Sequence, residues 1–325
     1  MTSDTSVPIA RVRDLPDLLG VIPHLLGFHP EESMVLMVLD EGRVELTART
    51  DLADLRLGGH LELLIDRMLL RWPSGGMWLV AYTAAEAEGW RLLEQAREHL
   101  GDTLAGEPIC VVGPYYRVGD AGGPIFPHDP TAAVTAASAT LHGLQARPSR
   151  SMLTQLVRTD PREAEAAEDS WVRALERVLT VDRGHRADEL IRAHTQALTD
   201  PAQLSRDDLA WIGLLVNDPV ARDRLVLSLE RPEAEAWVDL WCRVLRACPE
   251  GTQDQPLAIL ALAAWVNGDG ALHSVCLEEM DALGIEPGLK DLLEDLNAAV
   301  VPPSEWDDLR ERLRALLEEP SDDAA

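Results

Sequence analysis

Near residue 130 the spacing of apolar residues changes period, and that change constrains the fold more than any other feature of the chain. Before it, short apolar runs alternate with amphipathic stretches, the pattern of an α/β domain. After it every periodic segment has helical spacing. The 325 residues also exceed what one compact core usually serves. The expected class is therefore α+β/α. A mixed α/β sheet domain over residues 1–130 precedes an all-helical domain over 131–325, folded as a bundle or a short tetratricopeptide-like helical array. The acidic C-terminal tail is expected to be disordered.

In the first half, Asp14 is placed to cap a helix in which Leu15, Leu18, Leu19, Ile22, Leu25 and Leu26 recur at helical spacing. Pro16 suits its first turn, Gly27 its end, and Pro23 is expected to kink or divide it. Residues 34–39 are too apolar for a wet face and read as a central strand. Asp40, Glu41 and Gly42 then form a hairpin turn into a strand at 44–50, where Val44, Leu46 and Ala48 alternate with Glu45, Thr47 and Arg49. A helix at 59–72, a strand at 77–82, a helix at 84–100 and a strand at 108–112 make two strand–helix–strand units. Thr50, Tyr82 and Val112 thereby become ends of parallel strands. The segment 113–130 that follows is long and rich in Gly, Pro and aromatics. It reads as a connector in preference to a site, although it leaves the strand edge where open α/β sheets bind ligands. Asp129 and Pro130 look like the cap and first residue of a helix.

The second half should hold helices near 131–142, 149–157, 163–179, 186–198, 206–216, 220–229, 233–247, 256–266, 271–283, 288–299 and 304–317, separated by Pro- and Gly-containing stops. Short connections favour antiparallel neighbours. The pair at 257–283 looks like one tetratricopeptide-type unit. Trp237 and Trp241, four apart on one helix face, read as core.

Charge narrows the partners. The net charge is −27, and Lys290 is the only lysine. A phosphate backbone would be repelled, so no nucleic acid is expected as a partner. The longest apolar runs are too short for a bilayer and no secretory signal stands out, so no membrane is expected and the chain reads as cytoplasmic. Cys110, Cys242, Cys248 and Cys276 show no C-x-x-C spacing and read as buried free thiols.

Three blocks carry a family resemblance. Leu25-Leu26-Gly27-Phe28 leads through the acidic pair Glu31 and Glu32 into the apolar run 34–39; Arg147-Pro-Ser-Arg150 precedes a helix; and residues 261–271 read Ala-Leu-Ala-Ala-Trp-Val-Asn-Gly-Asp-Gly-Ala. Together they resemble an uncharacterised actinobacterial family known as domain of unknown function 4192, from about Ile9 to Trp306. The resemblance carries no activity. Many members have a cysteine-containing patch after the last strand, where this chain has residues 115–128 without cysteine.

Catalytic patterns are scarce. The nine histidines include no H-x-x-x-H or H-E-x-x-H spacing, no G-x-S-x-G elbow accompanies the serines, and Gly119–Gly123 lacks the spacing and lysine of a phosphate loop. His24, His29, Glu31 and Glu32 cluster around the first loop, a grouping that could bind metal or act in acid–base work but that a polar surface loop also produces. Neither a cofactor nor a metal site is expected. Two function classes follow. The first is a regulatory or scaffolding protein whose partner is another protein. The second is a small-molecule-binding protein or enzyme at the carboxyl edge of the sheet, with Phe28, His29, Glu31, Glu32, Ser33, Tyr115, Tyr116, Arg117 and His128 as its walls. Arg147 and Arg150 are candidate anion contacts.

Overall fold

The computed structural model describes residues 12–40, 43–56, 58–130, 146–147, 149–158, 161–285 and 288–318. The expected turn residues 41–42, the helix at 131–142, the stop at 286–287 and the acidic tail from 319 lie outside the described residues. Contacts divide the chain into two compact units, Met1–Arg150 and Ser151–Ala325. Composition alone puts the change near 130; in the structure Arg147 belongs to the first unit because its backbone pairs with Phe28.

The first unit is a six-stranded mixed sheet with helices. Helix α1 (Leu15–Leu26) starts where the Asp14 side chain accepts the Asp17 N–H and ends at Gly27, whose φ of 75° is the left-handed conformation that suits glycine. It runs through Pro23 as one helix instead of dividing there. Proline removes one N–H bond, while burial of Leu19, Ile22 and Leu26 retains the rest of the helix on the core.

Strands β1 (Ser33–Asp40), β2 (Arg43–Asp51), β3 (Gly76–Tyr82), β4 (Ile109–Val112), β5 (Tyr115–Val118) and β6 (Ile125–Pro127) lie in the order β2-β1-β3-β4-β5-β6. β3 and β4 are parallel and every other neighbouring pair is antiparallel. Consecutive residues Met34, Val35, Leu36 and Met37 are all fully buried, so β1 is covered on both faces, as its unbroken apolar run requires. β2 is an edge strand. Its exposed N-terminal half and half-buried remainder show no burial alternation, because an edge strand receives cover from one neighbour only. The segment 113–130 is no plain connector: β5 and β6 extend the sheet as an antiparallel hairpin, with Tyr116 stacked on Phe126 at 5.3 Å. Helices α2 (His60–Arg71) and α3 (Glu86–Leu100) supply the crossovers. α3 lies close on β3 and β4 because Gly89 has no side chain: a Cβ there would come within 2.8 Å of Thr83 and 3.0 Å of the Cys110 sulfur.

The second unit is helical: α4 (Ser151–Leu156), α5 (Ala164–Val178), α6 (Arg186–Thr199), α7 (Arg206–Leu215), α8 (Pro219–Ser228), α9 (Ala234–Ala247), α10 (Asp254–Val266), α11 (Gly270–Ala282), α12 (Leu289–Ala298) and α13 (Trp306–Glu318). From α9 to α12 consecutive helices pack, and α10 with α11 is the hairpin anticipated at 257–283. Earlier in the unit, α5 packs mainly on α7 and α6 on α8. A short link between α5 and α6 thus does not make them neighbours, since the buried stripe of α5, Ala167, Ser170 and Ala174, faces α7. α10 is buried all round from Pro256 to Val266, the environment its apolar sequence demands. All four cysteines are buried thiols outside any disulfide.

Three of the unit's tryptophans have hydrogen-bonded indoles. Trp241 donates its indole N–H to His194 at 3.2 Å, and the imidazole packs on Trp237 with ring centroids 4.2 Å apart. Trp306 donates to the Leu229 carbonyl at 2.9 Å and Trp265 to that of Val301 at 3.0 Å. Burial holds His194 neutral and lowers its pKa from 6.5 to about 3. The neutral ring thus contributes its full stability above pH 6.5, and that contribution is lost as pH falls toward 3. In urea titrations followed by tryptophan fluorescence, stability below pH 6.5 should fall more steeply with acid than in His194→Gln, by about 1.4 kcal/mol per pH unit at most. Parallel pH profiles for the two proteins would contradict this.

Candidate functional site

Because β2, β3 and β4 run in one direction, their ends at Asp51, Tyr82 and Val112 share one edge. β1 runs against them, so its entrance, residues 28–33, comes to the same edge: Ser33 pairs with Asp51 on one side and Tyr82 on the other. The β5–β6 hairpin adds Tyr115, opposite Val112 and Pro127. Arg147 joins through its backbone, accepting from His29 N–H at 3.0 Å and donating to Gly27 at 2.8 Å. Residues far apart in sequence are thus gathered along one rim.

Most of the candidate residues on this rim are engaged in architecture. Glu32 holds a left-handed backbone, with φ of 42°. Its carbonyl accepts from Leu52 N–H, and its carboxylate accepts from Ala84 N–H at 2.6 Å and Thr83 O–H at 3.0 Å. The Thr83 hydroxyl in turn accepts from Ala85 N–H, so these two side chains take up the N–H groups of the two residues just ahead of α3. Ser33 is buried, donates to the Glu31 carbonyl and accepts from Arg49 at 2.8 Å. Phe28 is 1% exposed beneath the Arg49 guanidinium. Arg117 pairs with Glu86 at 2.6 Å and also reaches the Gly123 carbonyl; the Tyr115 hydroxyl donates to the same Glu86 at 3.4 Å. Arg150 is half-buried in the turn that closes the first unit.

His29, Tyr116, His128 and Tyr82 remain. His128 meets Tyr82 and Tyr116 edge to face, each at 6.4 Å between centroids. Its pKa is lowered, first by burial and further by His29, with Asp129 acting the other way. That of His29 is lowered by burial and by His24, against Glu31. Both imidazoles are neutral near pH 7 and can donate and accept hydrogen bonds. Sequence reasoning missed Tyr82: its hydroxyl is buried without a hydrogen-bond partner among the described residues, and burial raises its pKa. Its placement at a strand end beside the first loop was the available signal. Among the described residues no group of three or more His, Cys, Asp or Glu is arranged to hold a metal.

A second surface lies on α5. Opposite its buried stripe, Val172, Leu175 and Leu179 are 53%, 44% and 84% exposed, at the i, i+3 and i+7 spacing of one helix face. The exposed Glu165, Glu168, Asp169 and Glu176 border them. Arg173 and Arg177 of the same helix turn aside to Asp207 at 2.7 Å and Glu189 at 2.8 Å, which leaves the outer face acidic and apolar. A helical wheel of residues 164–179 carries this signal.

Glu32→Ala should destabilise the protein by about 1–2 kcal/mol in urea denaturation, through loss of the hydrogen bonds at the α3 entrance. Glu32→Gly should cost less than Glu32→Ala, since glycine relieves the left-handed strain. Equal losses would show that the backbone conformation stores no strain.

Residues 16–304 match the family described as Domain of unknown function (DUF4192), and the chain belongs to that family. No curated protein and no solved structure matches it.

Proposed function

We propose that this member of the family is a cytoplasmic regulatory or scaffolding protein whose helical unit docks another protein on the outer face of α5. The observation that supports this reading is the row Val172, Leu175 and Leu179, set among carboxylates on a helix whose opposite face is already buried. Isolated apolar residues are common on surfaces, whereas a row at helical spacing matches the way amphipathic partners are bound. The acidic border selects a partner with basic residues flanking an apolar ridge, and it makes association sensitive to salt. Among the described residues no helix is long and apolar enough to cross a membrane, which is compatible with this role.

In affinity capture from the native host, proteins retained by the wild-type chain should be lost with Leu175→Asp/Leu179→Asp. They should persist with Leu70→Asp, a change at an 86% exposed leucine of the first unit. Identical retention by all three would count against the α5 face.

A second reading, a small-molecule site on the sheet rim, is favoured by the Tyr82 hydroxyl, buried without a hydrogen-bond partner among the described residues, and by the neutral His128 imidazole edge-on to the Tyr82 ring. A flat ligand with both donor and acceptor groups suits such walls. In a thermal-shift screen of coenzymes, nucleotides and sugar phosphates, a saturable rise in Tm that disappears in His29→Ala and Tyr116→Ala would support it. A rise that survives both substitutions would place the ligand elsewhere.

A further inference from the structure

A cleft of about 270 Å³ in the helical unit is lined by Glu163, Arg206, Leu209, Arg243, Arg246 and Ala247. Arg206 opens α7, while Arg243 and Arg246 lie three apart on α9, so two helices deliver three guanidiniums to one concavity. Leu209 and Ala247, 8% and 2% exposed, supply apolar wall. This concentration of positive charge occurs in a chain whose net charge is −27.

The bonding of Arg243 and Arg246 distinguishes them from several other arginines of the unit. In the same unit Arg158, Arg173, Arg177, Arg192 and Arg224 reach carboxylates at 2.9, 2.7, 2.8, 2.7 and 2.8 Å. Arg206 pairs with Glu163 at 3.0 Å. Arg243 instead donates to the Pro201 carbonyl at 2.7 Å, and Arg246 to the Cys242 carbonyl of its own helix at 3.2 Å. Among the described residues neither has a carboxylate within 4.0 Å. A guanidinium carries five N–H donors, so most of the donor capacity of both remains available.

We infer that this cleft binds a small phosphorylated molecule, whose phosphate is held by Arg206, Arg243 and Arg246. Arginine suits phosphate because its planar fork donates paired hydrogen bonds to two oxygens, and several forks match a group that carries more than one negative charge. The volume falls below the usual range for drug-sized ligands, so the molecule is compact. No aromatic residue lines the cleft among the described residues, which disfavours a stacked nucleobase and favours a sugar phosphate or similar ester. Glu163 at the rim competes with the phosphate for Arg206 and repels it.

The test is calorimetric titration of the full chain with inorganic pyrophosphate, glucose 6-phosphate and citrate at low ionic strength. Saturable binding of a phosphate compound is expected, weakened at least tenfold in Arg243→Gln/Arg246→Gln and tightened in Glu163→Gln. Arg224→Gln, at a paired arginine outside the cleft, should leave affinity unchanged. Tightening by Glu163→Gln separates a ligand site from a structural role for the arginines, which that change would only disturb. Circular dichroism and Tm of each variant establish that it is folded. Absence of saturable binding at millimolar ligand, equal affinity in wild type and the double arginine variant, or citrate bound more tightly than both phosphate compounds would overturn the assignment.

Discussion

The first unit depends on β1 running against both of its neighbours. Its backbone groups are taken up on one side by β2 and on the other by β3, and its side chains are buried on both faces. Reversal of this one strand carries residues 28–33 to the edge where β2, β3 and β4 end. Glu32 fastens that edge: one residue in a left-handed conformation receives the chain after β2 and the entrance to α3. The rim is a structural junction, with Tyr82, Tyr116 and His128 packed together beside it.

The helical unit solves a different problem, that of burying many large aromatic and aliphatic side chains, some of which carry polar atoms. Trp241 is bonded to His194, Trp306 to the Leu229 carbonyl, and Trp265 to Val301. These three indole N–H groups each gained an acceptor from another helix or a loop, which ties those elements together by direction as well as by area, whereas the buried indole nitrogens of Trp211 and Trp237 have no such acceptor among the described residues. α5 differs from the central α10 in being covered on one side only, and its other side bears both exposed leucines and carboxylates.

Arginine organises the surface of this acidic chain. Pairs such as Arg173–Asp207 and Arg224–Asp188 join different helices, yet exposed pairs of this kind add little stability apiece. Their effect is on the local field. Where arginines are paired, as along α5, the face outside them is negative; where Arg243 and Arg246 bond, among the described residues, to carbonyls, a positive concavity persists. Surfaces of opposite sign thus coexist within one unit.

The positions of helices and strands could be read from the residues because hydrophobic period and capping are local. Asp14, Pro16 and Gly27 delimit α1 from its own sequence, and the apolar run at 34–39 could only be a buried strand. The family was legible for the same reason, in contiguous blocks. The β5–β6 hairpin was not, because its strands, set in a Gly- and Pro-rich segment, are too short to show a period and join the sheet only through the pairing of β5 with β4. Nor could sequence tell that Glu31, Glu32 and Arg117 serve junctions, or that Tyr82 keeps a buried hydroxyl beside His128, since those contacts join residues up to 52 positions apart. Composition fixed the overall negative charge. Tertiary packing alone decided which charges cancel, which apolar rows stay uncovered and which arginines converge, because each depends on distance in space and not on order along the chain.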